Sequence, residues 1–479
     1  MSLFIRTLAV SILVLMSYSC QSQESVDRKI MLKVTGNVVS NVALFPLTGN
    51  NTQRPIKAVE QAKPGDVIEF VIDKGSIPSD FQLFFEFRNP SNGQPARTER
   101  RVFINKQNVE VQVNPMYASV DDSVHFAVND MENNQFLSFM AQNNHTREML
   151  GVLQMVLSKY DSPDSKFYKE ALKEYTSKHK EHTEWIKKQT KEHSKLLISH
   201  TFRFQYIPQI NWTLDEEMRK QSMLDDYMAL ADFNDIQVLQ LSDYRKWLDS
   251  YVNLHFGKGY NAQQVDSALT TAGKRMIEMA KSGDPKLYGH MVDYFFEGFE
   301  SMDLQGGIRM LNPYVNDPKC LATKKTMIQR RLQGLNTLYV GAVVPDFEIV
   351  DSNEQPLKFS KFSSNKPYKM LMFWSADCEY CKQFTDQLYP FYTNSKANES
   401  FDVLALSLDD TETEIPMWQK SVSDLPAWTH ARAKGGLLSA EAQAYFVVAT
   451  PVILIVDSKT NKIVSIPQTA RDVALFFKE

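Results

Sequence analysis

Residues 369–382 read Lys369-Met370-Leu371-Met372-Phe373-Trp374-Ser375-Ala376-Asp377-Cys378-Glu379-Tyr380-Cys381-Lys382. The stretch up to Trp374 is a short apolar run of the kind that forms a buried strand. A turn follows, and a helix is expected from about Cys378, with Phe384, Leu388 and Phe391 on its inner face. At a helix start the first cysteine is exposed, while the second, three residues on, faces inward beneath it. That spacing brings two sulfurs within bonding range and gives them unequal access to solvent. First-turn N–H groups and the helix dipole favour negative charge there. A thiol of ordinary pKa about 8.5 is then partly thiolate near neutrality. An outer attacking thiolate and an inner resolving thiol are what disulfide exchange needs.

Apolar runs at 401–408 and 452–456, with helical segments between the runs, extend this into an α/β domain over 341–479. In Ala449-Thr450-Pro451-Val452 a proline opens a buried strand; having no N–H for the ladder, it belongs at an irregular start. Three other readings of the cysteine pair compete. Structural zinc wants four ligands, and this segment adds no further cysteine and the single histidine His430, so no metal is expected. A peroxidatic cysteine lacks its upstream Pro and Thr. A permanent structural disulfide stays open.

The order strand, Trp-x-x-x-Cys-x-x-Cys, helix, strand, helix, Thr-Pro, strand resembles the thioredoxin fold, in its TlpA-like membrane-associated branch. Gly341-Ala-Val-Val-Pro-Asp-Phe347 and Ala444-Tyr-Phe-Val-Val-Ala-Thr-Pro451 match that family's entry and exit segments. The resemblance implies that Cys378 and Cys381 are the redox pair, and that Thr450-Pro451 forms a cis-proline loop facing it. It also implies that Trp374, Thr450 and Pro451 bind substrate, and that no cofactor is required. The chain departs from the family pattern at several positions. Met372 stands where thioredoxin buries an acid, Phe384 where some relatives place a Glu, and Asp377 where an aromatic precedes the first cysteine. No proline lies between the cysteines. Asp377 is therefore expected either to cap the helix or to relay a proton.

The 479 residues are 43% hydrophobic and 23% charged, which excludes disorder and a polytopic membrane protein and suggests about three domains. A net charge of −4 gives no sign of nucleic-acid binding, which rests on many phosphate contacts. Four cysteines are too few for a disulfide framework in such a chain. Residues 1–19 have a basic residue, Arg6, before an uncharged run, the layout of a secretory signal peptide. Cys20 and the polar tether 20–27 then resemble a bacterial lipoprotein signal, in which Cys20 carries lipid; plain secretion is the alternative.

Period-two alternation (Ile30, Leu32, Val34; Phe81, Leu83, Phe85, Phe87; Val109, Val111, Val113) predicts an antiparallel β-sandwich over 28–118. The period becomes helical over 125–338, an irregular all-α domain with breakers at Gly283-Asp284-Pro285, Gly306-Gly307 and Asp317-Pro318. In the Lys-rich helix from about Lys166 to His200, His179 and His182 are three apart, and a solvated basic face is the expected reading. Cys320 is expected to be a buried structural thiol. A sandwich, a helical region and a TlpA-like domain in this order resemble envelope lipoproteins of Gram-negative bacteria, as does the segment Phe295–Leu304.

The fold class expected is thus multidomain: antiparallel β-sandwich, irregular all-α middle, α/β thioredoxin fold. The activity expected is thiol–disulfide oxidoreduction on protein thiols or disulfides of the cell envelope, periplasmic or at the outer membrane, with a separate redox partner and a lipid on Cys20 as membrane anchor. The alternative is a non-catalytic binding or scaffold lipoprotein whose cysteines are idle.

Overall fold

The computed structural model describes residues 27–477 apart from 50, 51, 258, 364 and 395; the expected signal peptide and Cys20 lie outside the described residues. The chain forms two compact units. One holds residues up to Ala231 with Gln237–Asp249, the other Asp232–Ile236 with the chain from Ser250 onward.

The first unit begins with β1 (Arg28–Val34), β2 (Ser40–Pro46), β3 (Lys57–Ala62), β4 (Val67–Ile72), β5 (Ser79–Arg88), β6 (Pro95–Ile104), β7 (Val109–Val113) and β8 (Val124–Phe126). They build two sheets, β4-β1-β7-β8 and β3-β2-β5-β6. Alternation puts Ile30, Leu32 and Val34 of one sheet against Val42, Leu44, Phe81, Leu83 and Phe85 of the other in a single core. Each such side chain contributes about 1.5–3 kcal/mol when fully buried. The pairing is antiparallel except for β1 with β7, which run parallel from Ile30↔Val109 to Val34↔Val113. β8 adds a strand beyond the stretch where the sequence alternates.

Helices α1 (Met131–Lys159), α2 (Lys166–Glu192), α3 (Ser199–Phe202) and α4 (Glu216–Asp226) follow, and α5 (Ser242–Leu254) opens in the same unit. The expected solvated face of α2 is corrected here. His179 and His182 are 4% and 2% exposed, and α2 ends at Glu192 rather than near His200. Tyr175, His179, His182 and Ile186 recur at helical spacing and form the inner face, while the lysines take the outer one. His182 Nε2 lies 2.9 Å from Asn143 Oδ1, and His179 Nε2 2.7 Å from the Ile207 carbonyl.

The second unit contains α6 (Ala262–Ala280), α7 (Pro285–Ser301), α8 (Gln305–Met310), α9 (Asn312–Val315) and α10 (Lys325–Thr337). Asp284 caps α7 through the Lys286 amide, with Pro285 in the first turn, where a missing N–H costs nothing. Gly306-Gly307, expected as a helix end, instead opens α8: both amides donate to the Asp266 carboxylate, at 2.8 and 2.9 Å. Cys320 is 1% exposed, and burial holds its thiol above the ordinary range.

The remaining elements are β9 (Glu348–Val350), β10 (Pro356–Lys358), β11 (Tyr368–Trp374), α11 (Glu379–Asn394), β12 (Phe401–Ser407), α12 (Glu414–Asp424), β13 (Thr429–Arg432), α13 (Ala440–Ala444), β14 (Val452–Asp457), β15 (Ile463–Ser465) and α14 (Ala470–Phe476). The main sheet runs β13-β12-β11-β14-β15. β11 pairs parallel with β12 and antiparallel with β14. Met370, Met372 and Trp374 pack on one face with Cys381, Phe384 and Leu388 of α11. Leu371 and Phe373 face the other way, toward Phe359, Tyr445 and Val447. Arg330 of α10 donates to the carbonyl of Ala442 at 2.7 Å and to that of Leu437 at 3.3 Å, holding the segment that leads to Thr450. Among the described residues no helix is long and apolar enough to cross a membrane.

Candidate functional site

The site lies at the C-terminal end of β11. Buried apolar residues carry that strand through the sheet to Trp374, and the turn at Ser375–Asp377 delivers Cys378 to the start of α11. Cys378 is half-buried, Cys381 is 0% exposed, and the two are joined by a disulfide with Cα atoms 5.2 Å apart. The Cys381 amide donates to Cys378 Sγ at 3.1 Å. The outer sulfur thus takes the position a capping side chain takes at other helices, and one first-turn donor is aimed at it.

Strand register explains the second half of the site. Phe373 pairs with Val452 in the antiparallel β11–β14 ladder, so the loop before β14 arrives beside the cysteines. The Thr450–Pro451 peptide is cis. The Thr450 carbonyl oxygen lies 3.6 Å from Cys378 Sγ.

The candidate residues are not all placed alike. Cys378, Cys381, Thr450 and Pro451 come together. Trp374, expected on the substrate surface, is a core residue at 4% exposure, packed with Cys381 and Phe384 beneath the sulfurs. Asp377 is exposed, with Oδ1 2.6 Å from Ser375 Oγ, whose single proton it shares with the Asp409 carboxylate on the other side. The Asp377 carboxylate turns toward Ser375 rather than toward the α11 amide that Cys378 receives. Met372 and Phe384, two of the departures from the expected pattern, are 0% and 6% exposed within the apolar core.

Two residues escaped the sequence reading. Tyr380, between the cysteines, is 75% exposed and gives the disulfide an aromatic flank. Asp409, just past β12, is 1% exposed. The parallel register sets Ser407 against Trp374, which carries the Asp409 carboxylate to the turn before Cys378. It accepts from the Ala376 amide at 3.0 Å and from the hydroxyls of Ser375 and Ser407 at 2.5 and 2.7 Å. The signal that pointed to it was an acidic pair, Asp409-Asp410, closing a buried parallel strand; the carboxyl ends of such strands are where open α/β sheets place their sites.

Nearby charges are largely committed. Lys382 Nζ is 2.6 Å from Asp386. Arg432 pairs with the Asp410 carboxylate at 2.7 Å and reaches only the main-chain oxygen of Asp409, at 3.3 Å. His430 on β13 is buried with Nε2 2.9 Å from the Leu425 carbonyl, and burial pulls its pKa down. Among the described residues no group of three or more His, Cys, Asp or Glu side chains is placed to hold a metal ion.

A βαβ start, a disulfide at a helix N-terminus and a cis-proline loop facing it define a thioredoxin-fold domain. Residues 366–463 match the family described as thioredoxin-like. Solved structures similar to the chain include a thioredoxin-like protein from Bacteroides caccae, with 16% identity over 57% of this chain and 97% of that one, TM-score 0.39. The thioredoxin domain of a thiol-disulfide oxidoreductase from Bacteroides vulgatus shares 23% identity over 29% of this chain and 99% of its own, TM-score 0.25. A thiol-disulfide oxidoreductase from Bacteroides fragilis shares 22% over 29% and 99%, TM-score 0.25. No curated protein matches the chain.

Proposed function

We propose that the protein is a thiol–disulfide oxidoreductase of the cell envelope, exchanging disulfides with protein clients through Cys378 and Cys381. The observation that carries this reading is the unequal burial of the two bonded sulfurs, with the Thr450 carbonyl 3.6 Å from the outer one. In the reduced protein the Cys378 thiolate attacks one sulfur of a client disulfide, and the other client sulfur leaves as a thiolate and takes up a proton. Cys381 then loses its proton, attacks Cys378 and expels the second client sulfur. Two electrons pass from the dithiol to the client, and a partner dithiol protein restores the pair. Exchange in the opposite sense retraces these steps with a client dithiol and a partner disulfide. The backbone at Thr450-Pro451 is where an extended client segment pairs beside the sulfurs.

The envelope location draws on residues 1–27, read as a signal peptide and then Cys20 as lipid attachment site; the Gram-negative setting draws on the resemblance of the module order to envelope lipoproteins. The sandwich and the helices would hold or select the client or redox partner. A second reading, a scaffold with an idle disulfide, draws on the buried apolar Met372 and Phe384, which leave no acid at the positions where the resemblance to thioredoxin implies one.

The deciding measurement equilibrates the full chain in glutathione buffers and follows the Cys378–Cys381 disulfide. The oxidoreductase reading expects reversible cycling, loss of all exchange in Cys378→Ser, and a trapped mixed disulfide in Cys381→Ser. A pair that stays oxidised across every buffer, with no exchange onto a peptide thiol, leaves the scaffold standing.

A further inference from the structure

Asp409 is buried to 1% and bonded to the turn that carries Cys378. The groups that bond it are uncharged: the Ala376 amide, Ser407 Oγ, and Ser375 Oγ, whose single proton is shared with the exposed Asp377 carboxylate 2.6 Å away. The Asp409 amide in turn donates to Ser407 Oγ at 3.0 Å, which fixes the carboxylate from its own side. The Cys378 amide donates to the Ser375 carbonyl at 3.3 Å, so the held turn and the outer cysteine move as one piece.

We propose that Asp409 is a positioning residue for the redox pair, fixing the Ser375–Asp377 turn and setting, through its buried charge, how readily the Cys378 sulfur ionises. The proposal rests on the exchange reaction proposed above and adds a residue to it.

The charge argument depends on what faces the sulfur from each element. Asp377 and Glu379 flank it on the chain, both exposed. From α11, Lys382 is engaged by Asp386. From β13, Arg432 is engaged by Asp410, and His430 is buried. Each nearby cation is thus paired with a different carboxylate, and the hydroxyls and amide around Asp409 solvate its charge without cancelling it. The carboxylate is 3.0 Å from the Ala376 amide, and the Ser375–Ala376 peptide and the 3.3 Å bond from the Cys378 amide to the Ser375 carbonyl complete the path to the outer cysteine. That keeps the carboxylate within about 12 Å of Sγ. A negative charge at that range opposes a thiolate. At an effective dielectric of about 20 the opposition is roughly tenfold in the ionisation constant. The disulfide carries no such charge, so Asp409 also tips the couple toward the disulfide and makes the dithiol the readier electron donor.

The test compares alkylation rates of reduced full-length protein against pH, alongside glutathione equilibria. Asp409→Asn keeps the shape and removes the charge. Its Cys378 profile is expected about one pH unit lower, with the equilibrium shifted toward the dithiol by up to about tenfold. Asp409→Glu keeps the charge while disturbing the packing, and is expected to retain the wild-type profile. Ser407→Ala withdraws one donor, leaves the charge less well solvated, and moves the profile upward by about twofold; it decides the matter should Asp409→Asn not fold. Equal shifts in Asp409→Asn and Asp409→Glu, or an unmoved profile in Asp409→Asn and Ser407→Ala, overturn this role while wild-type cycling keeps the oxidoreductase reading. A wild type that never cycles with glutathione overturns both.

Discussion

Asp80 in the first unit and Asp409 in the second are both almost wholly buried, at 0% and 1% exposure, and they are compensated differently. Asp80 meets Arg101 Nε at 2.8 Å, and the same guanidinium also binds Asp243. Asp80 further receives the Ser242 hydroxyl at 2.6 Å and its amide at the start of α5. A cation answers the charge, and the cluster ties β5 and β6 to a helix start. Asp409 is held by an amide and two hydroxyls, and the nearest guanidinium, Arg432, is paired with Asp410. A buried carboxylate matched by a guanidinium is architecture: its field is cancelled locally. One matched by neutral donors keeps its field, and here a sulfur lies within reach of it.

If that contrast is right, removing the cation from the first cluster is the most damaging change available. Arg101→Met leaves Asp80 and Asp243 buried without a cation, and is expected to cost about 3–5 kcal/mol. That is a large part of the 5–15 kcal/mol or so that holds a folded protein together. Urea unfolding at pH 7 reads it. Arg432→Met breaks a partly exposed pair and is expected to cost less than about 1 kcal/mol. Similar losses in the two variants would erase the distinction between the clusters.

Buried bases sharpen the same comparison through pH. Burial pulls the His182 imidazole down to about 4, aided by Arg147 and His179. The unfolded chain therefore binds more protons than the folded one between about 6.5 and 4. Stability is fully present above the upper value and is lost as pH falls through that window, by about 2–3 kcal/mol from this group. His182→Gln, which keeps a polar partner for Asn143, is expected to flatten that part of the curve. An undiminished acid slope would show that the proton is taken up elsewhere.

In the second unit Lys369 is 0% exposed, with Nζ 2.6 Å from the Phe359 carbonyl and 4.5 Å from the Phe359 ring centroid. Burial pulls it down to about 8. Here stability rises as pH climbs from about 8 to about 10.5, because the unfolded lysine holds its proton longer. Lys369→Met removes that rise and leaves one carbonyl unpaired. It is expected to stabilise the protein at pH 7 by about 1–2 kcal/mol. A lower melting temperature in this variant would mean that the carbonyl bond and ring contact outweigh desolvation of the amine.

Short-range patterns were readable before the fold and long-range register was not. Cys378, Cys381 and Thr450-Pro451 announce themselves because spacing along one strand–helix junction sets their geometry, and a proline opening a buried strand marks an irregular start. Alternation in Ile30–Val34 and Phe81–Phe87 marks the sandwich, but it is silent on direction, so the parallel β1–β7 pair could not be seen. Asp409 depends on Ser407 lying opposite Trp374 across two strands separated by a helix. Asp80 finds Ser242, 162 residues on. The α2 face was a different kind of miss. Tyr175, His179, His182 and Ile186 are spaced for one helical face, and a count of lysines hid a periodicity that was present.

The smallest expected effect belongs to the cation nearest the cysteines in sequence. Lys382 follows Cys381 directly, and by position alone it would be the natural stabiliser of a thiolate. Its ammonium is instead turned to Asp386 one helical turn on, at 2.6 Å, with both side chains more than half exposed. An ion pair in water presents little net field beyond itself, and salt screens what remains. Lys382→Ala is therefore expected to move the Cys378 alkylation profile and the glutathione equilibrium by less than about twofold. Asp386→Ala, which frees the ammonium, should have the larger effect of the two and lower the profile. A shift in Lys382→Ala as large as that in Asp409→Asn would mean that proximity along the chain, and not burial, governs the sulfur. The contrast between exposed and buried charge would then have to be abandoned at this site.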